Sequence, residues 1–291
     1  MVIRKVVIPA AGLGTRLYPI TKSQPKEMLP LGRKPAIQLV LEEVISCGLR
    51  QVLIITGQHK RTLEDHFDIN AGNGATPFLP PELSSGLACV FYVRQSQPRG
   101  LGDAVAKAEP FICEEPFAVA LGDAIIHSPL REPLLARMIC LFEQEAPAAV
   151  VAVRQVPTEQ IGSYGMVKPA DGSATAEAFL LSDIVEKPRP AEAPSNWAIT
   201  GRYLFTPLIF EYLRLTPEGK GGEVQLTDAI RALIAAGHPV WAVKLAEGET
   251  RYDVGNFFQY SQAFIEIALR DPEVGEALRS VIAKMLGIES A

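Results

Sequence analysis

The sequence predicts an α/β protein with a mostly parallel sheet and helices on both of its faces. Two observations carry that expectation. Through the first half of the chain, short apolar runs alternate with helically spaced apolar residues, the pattern of strands joined by helical crossovers. The 291 residues also suffice for one large α/β domain or two small ones, with ample core for either.

The first strand is the run Val6-Val7-Ile8, and Gln-Val-Leu-Ile-Ile-Thr at 51–56 is the second. Between them Ile37, Val40, Leu41, Val44 and Ile45 recur at helical spacing, and Gly48 stands where a glycine ends a helix. Residues 88–93 and 117–121 read as buried strands, with a helix at 103–108 between them. A helix follows at 133–145, then a strand at 148–153. The second half changes character, because Asp171-Gly172 falls between extended stretches in 164–185 and signals a hairpin. Strands are predicted at 197–205 and 240–245, and an amphipathic helix at 226–236 starts at Thr227-Asp228. From 256 the pattern is helical to 286, with a break at Asp271-Pro272. The proline-rich stretch 188–194 reads as a connecting loop, and the chain carries no internal repeat or low-complexity tract.

Composition narrows the class of function. A hydrophobic content of 48% with 21% charged residues is ordinary for a globular protein, and a net charge of −5 argues against non-specific nucleic-acid binding. The N-terminus enters a strand with no apolar leader, and no run approaches the ~20 apolar residues of a membrane span, so the expected compartment is cytoplasmic. Cys47, Cys89, Cys113 and Cys140 are widely spread without a CxxC pair, and apolar surroundings predict buried, structural thiols in a reducing compartment. The histidines lack zinc-ligand spacing.

The most informative segment runs Ile8-Pro9-Ala10-Ala11-Gly12-Leu13-Gly14-Thr15-Arg16, with Pro25-Lys26-Glu27-Met28-Leu29-Pro30 following. An apolar strand enters a loop whose glycines let backbone N–H groups approach an anion, and Arg16, Lys22 and Lys26 can neutralise a polyphosphate. A nucleoside triphosphate site is therefore expected. It matches neither familiar glycine motif: the third position of a GxGxxG is Leu17, and no GxxxxGK[ST] occurs.

Other candidates lie at predicted strand ends. Gln95, ahead of Pro98-Arg99-Gly100-Leu101-Gly102, can bond a base edge through its amide, although a plain strand-to-helix turn explains the same string. Asp123 in Leu121-Gly122-Asp123 and Asp253 in Arg251-Tyr252-Asp253-Val254-Gly255 read either as helix caps or as Mg²⁺ ligands. Glu186-Lys187-Pro188 pairs an acid with a base, either as solubilising charges or as a sugar-phosphate site where Glu186 accepts from hydroxyls and Lys187 meets phosphate.

Together these blocks resemble the bacterial-type UTP–glucose-1-phosphate uridylyltransferases of the sugar-nucleotidyltransferase family. The similarity extends through Asp65-His66-Phe67-Asp68, Tyr164-Gly165, Ala193-Pro194-Ser195-Asn196, Gly201-Arg202-Tyr203 and Glu223-Val224-Gln225-Leu226-Thr227-Asp228-Ala229, and so spans almost the whole chain. It implies a Rossmann-like mixed, mostly parallel nucleotidyltransferase sheet with the site across its carboxyl edge. Residues 1–255 would form the catalytic domain, with a nucleotide half to about 125 and a sugar-phosphate half beyond. Residues 256–291 would be a helical segment on that domain or on a partner subunit of a homodimer or homotetramer. The resemblance implies that Gly12, Gly14, Thr15 and Arg16 wrap the triphosphate while Lys26 stabilises charge. Ala11, Gly12, Glu27, Gln95 and Gly100 would read uracil; Asp123 and Asp253 would hold Mg²⁺; Gly165, Glu186 and Gly201 would line the glucose pocket; Lys187 would hold the sugar phosphate. The substrates would be UTP and glucose 1-phosphate, with no nucleic-acid or membrane partner.

Two departures from the family pattern stand out: Asp103 where a histidine is expected, and a short, proline-rich 69–87 stretch. The rival readings are a thymidylyl or dual-nucleotide enzyme, a non-catalytic regulatory paralogue, and a nicotinamide dehydrogenase that the absent GxGxxG disfavours.

Overall fold

Val6, Val7 and Ile8 are all buried, so both faces of the first strand meet protein and neither needs a polar residue. The computed structural model describes residues 2–68, 78–170 and 176–288. Its main sheet has nine strands: β1 (Lys5–Pro9), β2 (Gln51–Thr56), β3 (Cys89–Arg94), β4 (Phe117–Ala120), β5 (Ala149–Gln155), β6 (Gly165–Pro169), β7 (Ala178–Glu186), β8 (Trp197–Phe205) and β9 (Val240–Lys244). Their spatial order is β3-β2-β1-β4-β8-β5-β9-β7-β6.

The sheet is mixed rather than mostly parallel. β3, β2, β1 and β4 are mutually parallel, as are β5 and β9, whereas β8 runs against β4 and β5, and β7 against β9 and β6. The apolar pattern missed this because burial on two faces makes a strand hydrophobic whichever way it runs. The Asp171-Gly172 turn lies outside the described residues, but β6 and β7 on either side of it pair antiparallel. Residues 69–77 of the proline-rich stretch also lie outside them.

Helices cover both faces. On one, Ala36–Ser46 and Leu134–Glu145 bury Val40, Leu41, Val44, Leu135 and Met138 against Val6 and Ile8. On the other, Leu101–Ala106, Ile209–Leu215 and Leu226–Ala235 bury Val105, Phe210 and Ile230 against Val7, Leu53 and Phe117. The alternation of strand side chains between these two clusters follows from the twofold period of a pleated strand. Gly48 ends its helix with φ +88°, and Leu49 N–H reaches back to the Val44 carbonyl at 3.1 Å.

The C-terminal pattern resolves into two helices, Phe257–Leu269 and Gly275–Met285. Asn256 caps the first, its Oδ1 accepting from Gln259 N–H, and Tyr252 donates to Glu266 to tie that helix to the body. Arg33 holds the intervening break through Asp271 at 2.8 Å and Glu273 at 2.7 Å. The expectation of buried thiols is corrected: Cys89, Cys113 and Cys140 are exposed and Cys47 is half-buried. Each exposed cysteine sits on the solvent side or at an end of an apolar element, a distinction that neighbouring residues along the chain do not encode.

Candidate active site

Because β1 to β4 run parallel, their carboxyl ends share one edge, and the loops leaving them converge. A cleft of about 430 Å³ lies there, lined by Ala11, Gly12, Gly14, Thr15, Lys26, Glu27, Gln95, Gly100, Asp123 and Glu223 among others. A more voluminous cavity, about 890 Å³, lies elsewhere, between Gly32-Arg33-Lys34 and Arg270-Asp271, and holds none of the expected site residues.

The glycine loop is shaped by its neighbours. Gly14 has φ +66°, and Thr21 Oγ1 donates to its carbonyl at 2.7 Å. A Cβ on Gly12 would approach the Lys26 side chain at 3.9 Å, so this lysine lies alongside the bare backbone. Leu17 is buried and anchors the short 3₁₀ turn Thr15–Leu17, which turns Arg16 to solvent, without a polar partner among the described residues and outside the cleft lining.

Lys26 and Asp123 form an ion pair across 97 residues of sequence. Burial alone would lower the Lys26 ammonium, but Asp123, Glu27 and Asp253 outweigh it and hold it well above the ordinary lysine value. Burial likewise opposes ionisation of Asp123, yet Lys26 and Arg251 hold its carboxyl below the usual range. The pair is therefore charged at neutral pH.

Asp253 reaches the same place through a two-stranded ribbon in which it pairs with Ala124, and Val254 N–H donates to the Asp123 carbonyl at 2.9 Å. Arg251 contacts Asp253 Oδ2 at 2.9 Å, and Lys26 contacts Asp123 Oδ2. Oδ1 of each carboxylate accepts no side-chain hydrogen bond among the described residues. Two such carboxylates, each with an oxygen left clear of other side chains, suit Mg²⁺, which takes one or two carboxylates and completes its shell with phosphate oxygens and water. No group of three acidic, His or Cys side chains able to hold a metal occurs among the described residues, so such an ion would depend on the substrate for further ligands.

Gln95 is buried, its Nε2 donating to Asp103 Oδ2 at 2.7 Å and to the Gly100 carbonyl at 3.1 Å. Gly100 has φ +99°, and a Cβ there would lie 2.7 Å from the Val224 carbonyl. Reciprocal bonds, Val224 N–H to Arg99 and Gly102 N–H to Val224, both 2.8 Å, fasten this loop to the segment carrying Glu223.

The expected sugar-phosphate residues form a second group. Gly165 pairs with Glu186, and a Cβ on it would meet Ile199 at 3.0 Å and Glu186 Oε2 at 3.3 Å. Thr227 donates to Glu186 Oε2 at 2.8 Å, and Lys187 contacts Oε1 at 3.0 Å. Lys187 has φ +42°, a left-handed conformation rare for a side-chain-bearing residue. Gly201, φ +88°, lies in the register break of β8, and its carbonyl accepts from Leu121 N–H two residues before Asp123. Tyr164 links the groups: the Arg251 and Arg154 guanidiniums lie 5.2 and 5.5 Å from its ring centre.

Sequence reading missed several of these residues. Lys60, 5% exposed, pairs with buried Glu27 at 2.7 Å, so Glu27 is anchored from behind the cleft. A lysine three residues after a strand-end glycine was the only available signal. Arg251 and Thr227 stood within recognised blocks, but only folding brings their side chains to Asp253 and Glu186.

Residues 5–269 match the family model described as nucleotidyl transferase. A UTP–glucose-1-phosphate uridylyltransferase of Staphylococcus epidermidis is 42% identical, over 97% of this chain and 98% of its own. A solved UDP-glucose pyrophosphorylase complexed with UDP-glucose is 38% identical with a TM-score of 0.82, covering 90% of this chain and 97% of that one. A UTP-bound UGPase from Acinetobacter baumannii is 33% identical with a TM-score of 0.84, covering 98% and 100%.

Proposed function

The chain belongs to the nucleotidyl transferase family, and from that premise we propose that it is a UTP–glucose-1-phosphate uridylyltransferase. It transfers UMP from UTP to glucose 1-phosphate, forming UDP-glucose and releasing pyrophosphate. The carrying observation is the cleft in which Lys26, charged and paired with Asp123, lies against the bare backbone of Gly12.

The reaction needs no covalent enzyme intermediate. An oxygen of the sugar phosphate attacks the α-phosphorus of UTP in line; the new P–O bond forms as the bond to the bridging oxygen breaks, and its electron pair leaves on pyrophosphate. Two polyanions must be brought together, so catalysis is alignment and charge neutralisation. In this reading the backbone of Gly12, Gly14 and Thr15 cradles the triphosphate, and Lys26 neutralises it. Arg16, exposed and unpaired among the described residues, is free to join it. Ala11, Gly12, Glu27, Gln95 and Gly100 receive uracil. Gly165 and Gly201 leave room for the hexose, Glu186 accepts from its hydroxyls, and Lys187 meets its phosphate. Asp123 and Asp253 would hold Mg²⁺, which supplies charge neutralisation at the phosphoryl oxygens. The assembly that belongs with this reading is a homodimer or homotetramer, which sedimentation equilibrium reads as two or four chain masses.

The test is pyrophosphate release with Mg²⁺, comparing UTP and dTTP, each with and without glucose 1-phosphate. Release that needs the sugar phosphate and favours UTP supports the assignment. Equal use of dTTP replaces it with a dual-nucleotide enzyme, since one methyl group is worth only ~1–3 kcal/mol of discrimination. No release from folded, UTP-binding protein replaces it with a regulatory paralogue.

A further inference from the structure

Asp103, where the family pattern has histidine, is 6% exposed and makes three polar contacts. Its Oδ2 accepts from Gln95 Nε2 at 2.7 Å; its Oδ1 accepts from Arg99 Nη2 at 2.7 Å and lies 3.3 Å from Lys107 Nζ. Burial opposes its ionisation, but Gln95, Arg99 and Lys107 hold the carboxyl below the usual aspartate range, so it is an anion at neutral pH.

An anion accepts hydrogen bonds and cannot donate them. Gln95 therefore has one orientation available. Its two amide hydrogens go to the Asp103 carboxylate and the Gly100 carbonyl, both pure acceptors. Turning the amide over would set its carbonyl oxygen against both of them. Gln95 Oε1 is thereby left as the side chain's only unused polar atom, with no partner among the described residues, and Gln95 lines the cleft.

We infer that Asp103 is a positioning residue that fixes Gln95 with its carbonyl as the group offered to the base, and so makes the site select pyrimidines carrying an imino N–H. Uracil and thymine have a donor at N3, whereas cytosine has a bare acceptor nitrogen there. A glutamine free to turn would serve either pattern; one held by Asp103 meets cytosine acceptor to acceptor. This inference rests on the placement of the base beside Gln95 in the proposed function.

The experiment measures kcat/KM with UTP and with CTP, at saturating glucose 1-phosphate and Mg²⁺, for the wild type, Asp103→Asn, Asp103→Glu and Gln95→Ala. The UTP/CTP ratio is internal to each variant, so partial loss of folded protein cancels. Asp103→Asn, whose amide can both donate and accept, should lower the ratio about tenfold or more, the equivalent of one hydrogen bond to a charged group, chiefly through the nucleotide KM. Asp103→Glu, still an anion, should recover part of it. An unchanged ratio in Asp103→Asn alongside a reduced ratio in Gln95→Ala overturns the role of Asp103 and leaves the base site standing. An unchanged ratio in both overturns the base site, and this inference with it.

Discussion

At the scale of single residues, the site is built from charges that burial alone would disfavour. Lys26 and Asp123 keep their charges because each is the other's partner, and this makes them unequal to solvated residues of the same type. Asp123→Asn should reduce turnover by roughly 10²–10³, the usual scale for losing a preorganised electrostatic group. Steady-state rates across a Mg²⁺ titration would check this, and near-normal, Mg²⁺-dependent turnover would falsify the metal assignment. Lys187→Ala should raise KM for glucose 1-phosphate by roughly 10–100-fold, the range of a hydrogen bond to a charged group, with little change in KM for UTP. The Lys60–Glu27 pair is nearly inaccessible. Lys60→Met leaves the Glu27 carboxylate buried alone and should cost about 3–5 kcal/mol in urea unfolding.

At the scale of elements, the loop from Gln95 to Gly102 is fixed by backbone as much as by side chains. Gly100→Ala combines a positive φ with a Cβ 2.7 Å from a carbonyl oxygen, and neither the loop nor the Val224 backbone can yield cheaply. It should raise KM for UTP several-fold, leave KM for glucose 1-phosphate near normal, and lower the melting temperature. The helix Leu101–Ala106 carries a pH signature through Asp103. The carboxyl of Asp103 lies lower in the fold than in the unfolded chain, so its contribution is full above the ordinary aspartate value and fades as pH falls through the folded one. Melting temperature should therefore fall less steeply below about pH 4 in Asp103→Asn than in wild type.

At the scale of the molecule, one sheet carries both groups of site residues, and its two reversed strands decide where they meet. β8, running against β4, brings Gly201 to Leu121 beside Asp123; β7, running against β6, sets Glu186 opposite Gly165. The same packing decides thiol accessibility. Cys89, Cys113 and Cys140 should react with a thiol reagent in the native protein, whereas Cys47, pushed up to about 11 by burial and the nearby Glu43, should react only slowly until unfolding. Phe117 stacks on Phe210 with ring centres 5.2 Å apart, joining β4 to a covering helix. Phe117→Ala should cost about 3–5 kcal/mol in the same unfolding assay.

The sequence encodes many of the elements locally: strands and helices follow from apolar periodicity, and the predicted 51–56 and 197–205 strands coincide with β2 and β8, whereas the short helices Arg61–Phe67 and Ile209–Leu215 have no counterpart in that reading. It also determined which residue types stand in the phosphate loop, because glycine and cations beside a strand end are needed wherever a polyanion meets backbone. Tertiary structure alone decided strand direction, since burial is blind to it, and decided which charges meet. Lys26 with Asp123, Glu27 with Lys60 and Gln95 with Asp103 are pairings made by packing, and a side chain's charge state and orientation depend on the partner that packing supplies.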